Sequence, residues 1–329
     1  MQRHHRKPRK VIVAASIFPH GNQWEGLAAR LETLCGMIDA KNRIARETYG
    51  RTTDLVVFTE HAVTGGAGKT AAAKSRPLDG AVLDAFAAKA RQYETNVAVP
   101  LHLEEDRKNQ VFYNAVVFLD RRGEVAGIYR KIHPVNGFAN GAPEVLEGGI
   151  SVGREANVID LDFGRVGAQI CYDMLYDDGW ELLAEKGAEL VVWASVSPRV
   201  FGAGLRAAQH GYWVVTATVR DNASILEPVT GNVAAQVRPP GNLVVHELDL
   251  SWYYSHWTPA MHRGSALTQA FGDRVGVHYV DEEDCGLFWS NDPERSIGEM
   301  LEAVGVDPDY EQVEHCRRLQ EAARGGKPS

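Results

Sequence analysis

Short apolar runs rich in Val and Ile alternate along this chain with stretches whose apolar residues recur at helical spacing. Residues 24–38 and 79–93 carry such stripes and predict amphipathic helices, with shorter helices expected at 180–186 and 204–210. This alternation predicts an α/β protein with mixed sheets. The apolar runs predict strands at residues 11–17, 54–59, 96–101, 111–119, 124–129, 158–161, 166–170, 190–195, 213–219, 233–237 and 243–248.

Composition along the chain divides it into three regions. Residues 1–9 are basic and are expected to form a solvated arm. Residues 10–250 hold the strand and helix pattern, interrupted by a long Gly-, Pro- and Asn-rich loop at 132–156. Residues 251–329 lose the strand pattern and predict a partly helical extension that packs on the main domain or on a neighbouring subunit.

Charge and cysteine content narrow the class of protein. The net charge of −8 argues against a nucleic-acid binder, and no apolar run approaches the roughly 18 residues needed to span a bilayer. The four cysteines are widely spaced, which predicts neither a disulfide framework nor a zinc site. Free thiols are typical of a reducing compartment, so we expect a cytoplasmic protein.

Three reactive side chains follow three separate strand signals. Cys171 ends the predicted strand at 166–170, where a rigid element can aim a nucleophile. Glu60 follows the apolar run 54–59, and burial there would raise its pKa into the range of a general base or acid. Lys131 follows residues 124–129; its charge would stabilise a developing anion and lower the pKa of a nearby thiol. We expect the three to share one site.

Two other chemistries are weaker interpretations of the sequence. A cysteine–histidine mechanism would need His133 or His210 as the base, and neither lies in a pattern that marks one. The glycine-rich residues 65–70 have Val63 where a phosphate-binding loop requires its first glycine.

The segments containing Glu60 (VVFTE), Lys131 (YRKIH) and Cys171 (GRVGAQICYD), in that order, resemble the nitrilase superfamily of carbon–nitrogen hydrolases. The resemblance covers about residues 10–250. It implies an αββα sandwich of the nitrilase type, extended across a homodimer or larger homo-oligomer into an αββααββα layer. It also implies a Glu–Lys–Cys triad that works without cofactor or metal.

Further site residues are expected from the same resemblance. A second glutamate between the lysine and the cysteine would be Glu147, with Glu144 as the alternative. In the implied mechanism Glu60 is the base, Cys171 forms a thioester, and Lys131 with a backbone N–H near Tyr172 stabilises the oxyanion. The sequence also suggests substrate-pocket residues, namely His133, Asp173, Ser195 and Ser197.

The expected activity is hydrolysis of a non-peptide C–N bond in a small amide or N-carbamoyl (ureido) substrate, with release of ammonia or an amine. Met174 and Leu175 stand where relatives acting on N-carbamoyl amino acids often carry arginines, which predicts a neutral or cationic substrate. Nitrile hydrolysis by the same triad is one alternative. The other is a non-catalytic interaction module, in which the aromatic cluster at 252–257 docks a partner and the site is residual.

Overall fold

The computed structural model describes residues 3–20, 24–137 and 142–325. Parts of the predicted arm (residues 1–2), of the predicted loop (138–141) and of the extension (326–329) lie outside the described residues. The chain divides into a larger unit, Lys10–Leu250, and a smaller unit that combines residues up to Arg9 with those from Ser251 onward. No helix in the described ranges is long and apolar enough to cross a bilayer.

The larger unit alternates strands with helices, as the sequence predicts. Its helices are α1 (Leu27–Tyr49), α2 (Ala71–Lys74), α3 (Ala81–Tyr93), α4 (Asp178–Glu185) and α5 (Val200–His210). Its strands are β1 (Lys10–Ser16), β2 (Leu55–Val57), β3 (Asn96–Asp106), β4 (Val111–Leu119), β5 (Val125–Arg130), β6 (Asn136–Gly137), β7 (Ala142–Leu146), β8 (Ile159–Leu161), β9 (Gly164–Ile170), β10 (Leu190–Ser195), β11 (Trp213–Thr218), β12 (Ala223–Leu226), β13 (Val233–Val237) and β14 (Leu243–Asp249).

Two six-stranded sheets form the centre of the larger unit, in the orders β14-β1-β2-β3-β4-β5 and β13-β12-β11-β10-β9-β8. In each sheet three neighbouring strands run parallel, β1-β2-β3 in one and β9-β10-β11 in the other, and the outer strands pair antiparallel. Strands buried on both faces read as continuous apolar runs, which explains why the sequence revealed them.

The sheets pack against each other and each carries helices on its outer face. Leu34 and Ile38 of α1 and Phe86 of α3 join Val56 and Val97 of the first sheet in one core. Helices α4 and α5 contact the second sheet at β9, β11 and β12. The arrangement is the αββα sandwich that the sequence predicted.

Helix α1 continues beyond the predicted 24–38 because buried polar side chains extend its inward face. Lys41 Nζ donates to the carbonyl oxygen of Val57 (2.9 Å), and Asn42 Oδ1 accepts from the backbone N–H of Thr53 (3.0 Å). Polar residues at these inward positions end the apolar stripe in the sequence but not the helix. The predicted loop 132–156 likewise contains a small hairpin, β6 with β7.

The smaller unit contains a three-stranded antiparallel sheet that the sequence did not predict, in the order β15-β17-β16. Its elements are β15 (Trp252–His256), α6 (Ser265–Phe271), β16 (Val275–Val280), β17 (Cys285–Ser290), α7 (Ile297–Ala303) and α8 (Gln312–Ala323). Phe288, Met300 and Leu301 lie in its core.

The N-terminal residues of this unit are packed against it, in contrast to the solvated arm expected from their charge. The Arg3 guanidinium lies over the ring of Trp252 at 5.1 Å. His5 Nε2 lies 2.9 Å from Asp309 Oδ1, and Lys7 Nζ lies 2.8 Å from Glu294 Oε2. These acidic and aromatic partners are distant in the sequence, and the residues of the basic run remain half-buried or exposed.

Candidate active site

Three strand ends of the larger unit meet at one cavity. Glu60 follows β2 and Lys131 follows β5, both in the first sheet, while Cys171 follows β9 in the second. All three line a cavity of about 280 Å³. Glu60 and Lys131 are nearly inaccessible to solvent, at 2% and 1% exposure, so their charges must be compensated inside the protein.

A buried ion cluster supplies that compensation. Lys131 Nζ lies 3.1 Å from Glu60 Oε1 and 2.5 Å from Glu147 Oε1. The side-chain amide of Asn114 donates to both carboxylates, at 2.8 Å to Glu60 and 2.9 Å to Glu147. Backbone N–H groups complete the set, from Val135 to Glu147 (3.0 Å) and from Val196 to Glu60 (3.1 Å). One ammonium is therefore held between two carboxylates.

The second glutamate at the cavity is Glu147, the residue that the sequence favoured. Glu144 lies on β7 with an exposed side chain and is not among the cavity-lining residues. Glu147 follows β7 directly and has a backbone φ of +42°. Gly148 comes next, at φ +76°; a Cβ there would lie 2.7 Å from the carbonyl oxygen of Lys69.

The backbone at Cys171 makes a sharp turn from strand to helix. Its φ is +44°, rare for a residue with a side chain, and a 3₁₀ helix runs over Cys171–Leu175. The turn is fixed by Asp173, which accepts from the backbone N–H of Ile170 (2.7 Å) and from the hydroxyl of Tyr129 (2.7 Å). Trp193 Nε1 donates to the carbonyl oxygen of Cys171 (3.3 Å). Backbone strain of this kind is concentrated at functional sites.

The remaining predicted pocket residues support the cavity rather than line it. Asp173 is fully buried under the turn, and His133 contacts it through its backbone N–H (2.9 Å) and its Nδ1 (3.2 Å). Ser195 Oγ accepts from the N–H of Ser197 (2.9 Å) and lies against the Cys171 thiol. Tyr172 is half-buried and packs edge-on against Tyr176.

Protonation states at the site differ from the sequence expectation. Burial raises the pKa of the Cys171 thiol to about 12, the Glu60 carboxylate adds to this, and Lys131 only partly opposes it. Burial alone would raise the pKa of Glu60, yet Lys131 and Asn114 outweigh it and the pKa is lowered. Burial alone would lower the pKa of Lys131, but the charges of Glu60 and Glu147 outweigh it and the pKa is raised. The resting site therefore holds a neutral thiol, two carboxylates and an ammonium.

Sequence reasoning missed several residues that line the cavity and one, Asn114, that binds its two carboxylates from behind the lining. Asn114 and His102 are fully buried and sit opposite each other in the β3–β4 pairing. A polar residue inside an apolar run was the available signal for Asn114. His61, directly after Glu60, also lines the cavity, with a backbone φ of +61°. The other missed lining residues are Lys69, Lys74, Val135, Asn136, Gly137, Gly148 and Val196.

Within the described ranges, one group of side chains has the spacing of a metal site, namely His4, His5 and Asp309 of the smaller unit. The two imidazoles already hydrogen-bond to the Asp309 carboxylate, at 3.2 Å and 2.9 Å. Hydrogen bonding within the group accounts for its geometry.

A family model described as carbon-nitrogen hydrolase matches residues 15–255 of this chain. The match covers most of the chain, which therefore belongs to the carbon-nitrogen hydrolase family. The resemblance to the nitrilase superfamily is thereby confirmed.

Two curated relatives align with parts of the chain. The omega-amidase of Saccharomyces cerevisiae is 26% identical over 167 residues, which are 44% of this chain and 56% of the relative. The citrullinase of Francisella tularensis subsp. tularensis is 29% identical over 101 residues, which are 31% of this chain and 34% of the relative. The aligned parts thus span between a third and somewhat over half of these relatives' own length.

A solved structure shares the fold. The crystal structure of a member of branch 10 of the nitrilase superfamily, from Saccharomyces cerevisiae, superposes with a TM-score of 0.59 at 20% identity. The superposition covers 80% of this chain and 95% of that one.

Proposed function

We propose that this protein hydrolyses a non-peptide C–N bond of a small amide or N-carbamoyl compound through a thioester on Cys171. The observation that carries the proposal is the cavity at which a thiol, a carboxylate and an ammonium meet, with Glu147 holding the ammonium in place. The family of the chain and a relative named as an amidase support the same class of reaction.

Acylation follows from the protonation states of the site. As the sulfur of Cys171 bonds to the substrate carbonyl carbon, the thiol proton passes to Glu60. Lys131 and the backbone N–H of Tyr172 stabilise the tetrahedral oxyanion, each such donor contributing about 3 kcal/mol. The C–N bond then breaks, and the leaving ammonia or amine takes the proton from Glu60.

Deacylation repeats the same steps with water as the nucleophile. Glu60 takes a proton from a water molecule that attacks the thioester carbonyl, and the C–S bond breaks. The sulfur recovers the proton, and the carboxylic acid product leaves. Glu147 keeps Lys131 charged and oriented throughout.

The test is an assay for ammonia release from a panel of amides, N-carbamoyl compounds and nitriles. Turnover of an amide or carbamoyl compound supports the proposal, and turnover of nitriles alone would replace it with nitrile hydrolysis. Cys171→Ala is expected to lower turnover more than about a thousandfold with an unchanged circular dichroism spectrum. The matched control is Cys316→Ala, an exposed cysteine of the smaller unit, which should retain activity. Wild-type turnover in Cys171→Ala would disprove the mechanism.

We also propose a homodimer or larger homo-oligomer, which would extend the sandwich into an αββααββα layer, and a cytoplasmic location suited to four free cysteines. Light scattering on the purified protein tests the first, since a monomer at working concentration would exclude it. Fractionation of the source cells tests the second.

A further inference from the structure

A second group of side chains lines the same cavity as the ion cluster and has no role in the proposed chemistry. It consists of two imidazoles, His61 and His102, and two ammonium groups, Lys69 and Lys74. Lys69 precedes α2 and Lys74 is its last residue. At the start of this helix the N–H of Ala71 donates to the carbonyl oxygen of Gly148 (2.8 Å). This bond ties the lysine segment to the loop that carries Glu147.

The two imidazoles are stacked, with ring centroids 4.4 Å apart and planes inclined by 14°. Burial lowers the pKa of both well below the ordinary value, and the charge of Lys74 contributes to each shift. The backbone N–H of Arg76 donates to the carbonyl oxygen of His102 (2.9 Å), which holds the segment that carries Lys74 beside this strand. Thr64 Oγ1 lies 3.4 Å from His102 Nδ1. When this hydroxyl donates, the neutral imidazole carries its proton on Nε2.

His102 Nε2 is buried and has no hydrogen-bond partner among the described residues. A buried donor without a partner is destabilising and is rare in folded proteins. Because His102 lines the cavity, a bound molecule can supply the missing acceptor.

The charge balance around the cavity indicates which acceptor fits. The ion cluster is negative overall, since one ammonium stands between two carboxylates. Neither Lys69 nor Lys74 has a carboxylate within ion-pair distance in the described part of the chain. Lys74 is half-buried, so its charge is only partly screened by solvent. An anionic group is therefore favoured beside Lys74 and disfavoured beside Glu60.

We propose that Lys74 and His102 form a subsite for a carboxylate of the substrate, with His61 positioning His102 by stacking and Lys69 adding charge at the rim. The inference rests on the proposed function and names its substrate class: small amides or ureido compounds that also carry a carboxylate. A cavity of about 280 Å³ holds roughly nine water-sized volumes of about 30 Å³, a size that suits a small metabolite.

This substrate class differs from the neutral or cationic one expected from Met174 and Leu175. Neither residue is among those lining the cavity. Met174 is buried, and its sulfur would lie 3.2 Å from a Cβ atom placed on Gly202. Leu175 is exposed. Their lack of charge therefore says nothing about the charge of the substrate.

The test compares the half-amide of a short dicarboxylic acid with the diamide of the same length. Wild type should prefer the half-amide. Lys74→Met should raise KM for the half-amide about ten- to a hundredfold, because one charge-assisted hydrogen bond to the carboxylate is lost. Its kcat, and its kcat/KM for the diamide, should stay within about twofold. Lys74→Arg should recover part of the affinity. Lys108→Met, at an exposed lysine outside the cavity lining, is the matched control and should behave as wild type.

His102→Phe keeps the stacked ring and removes the donor, so it should also raise KM for the half-amide selectively. Equal losses on both substrates in Lys74→Met, or a wild-type preference for the diamide, would overturn the subsite.

A binding measurement separates the subsite from the catalytic proposal. In Cys171→Ala, calorimetric titration with the short dicarboxylate should show binding that a second change, Lys74→Met, weakens about tenfold or more. If no substrate releases ammonia but this binding is seen, the catalytic proposal fails and the subsite stands. If ammonia is released but the dicarboxylate binds both variants equally, the subsite fails alone.

Discussion

Replacement of Glu60 by Gln is expected to make the Cys171 thiol more acidic while abolishing turnover. The pKa of the thiol is raised to about 12 by burial first and by the Glu60 carboxylate second. The substitution removes that negative charge and keeps the shape of the side chain. Lys131 stays charged because Glu147 remains 2.5 Å from its Nζ. Turnover is lost because a carboxamide accepts no proton from the thiol.

The size of the shift follows from the electrostatics of the pair. Two unit charges about 4 Å apart, at an effective dielectric constant of about 20, interact by about 4 kcal/mol. At 1.36 kcal/mol per pKa unit, removing the carboxylate should lower the thiol pKa by about three units, to about 9. The thiolate fraction at neutral pH then rises about a thousandfold. Lower intrinsic nucleophilicity offsets part of this gain, which leaves alkylation roughly 30- to 60-fold faster.

The assay is the rate of iodoacetamide alkylation of the Cys171 peptide as a function of pH, followed by mass spectrometry. Glu60→Gln should move the midpoint down and raise the rate at neutral pH. Glu144→Gln changes an exposed glutamate outside the cavity lining and should leave both unchanged. A midpoint in Glu60→Gln that is unchanged or higher would show that no ionised carboxylate faces the thiol, and the proposed base would be wrong.

Two further substitutions test the surroundings of the site. Asn114→Ala removes the amide that donates to both buried carboxylates and should lower the free energy of unfolding by about 3 kcal/mol in urea denaturation. The control Asn109→Ala, at an exposed turn, should change it by under about 0.5 kcal/mol. Equal effects of the two substitutions would contradict the reasoning. The pKa of His133 is raised by its hydrogen bond to Asp173, with burial opposing. The charged form is therefore the stabilising one, its contribution complete below about pH 6.5 and lost as the pH rises through the folded-state pKa. His133→Gln should accordingly be most destabilising at low pH in thermal melts, and a deficit that grows with pH would refute this.

Most strands of the larger unit could be predicted because a strand buried on both faces has a continuous run of apolar residues. Predicted strands 111–119 and 190–195 coincide with β4 and β10, which are buried along most of their length. Predicted strand 233–237 also coincides with β13, although that strand is only half-buried. Strand β12 was missed because Ala223 and Ser224 carry little apolar signal, although both are buried. The three-stranded sheet of the smaller unit was missed for a related reason, since its outer strands are half-buried and mix aromatic, polar and small residues.

The candidate site was predictable only for residues that directly follow a strand, because the strand fixes their position in the fold. Glu60, Lys131 and Cys171 follow strands, and strand ends are visible in the sequence. His102 lies within β3 and Asn114 within β4, and their meeting depends on the β3–β4 register. Register is set by side-chain packing across the pair and is not contained in either segment alone. The thiol pKa was predicted with the wrong sign because burial and Glu60 together outweigh Lys131.

In the proposed mechanism, the charges of the resting site favour activation of Cys171 by substrate binding rather than through a preformed thiolate. The buried groups Lys131, Glu60 and Glu147 sum to one negative charge, and a thiolate would bring the total to two in a place where burial already raises the thiol pKa. The proposed attack on a carbonyl would avoid this, because the thiol proton would move to Glu60 while the new negative charge would form on the substrate oxygen, beside the ammonium of Lys131. The net charge of the site is then the same before and during the reaction. A neutral thiol beside an ionised carboxylate is thus the state from which acyl transfer requires no additional buried charge.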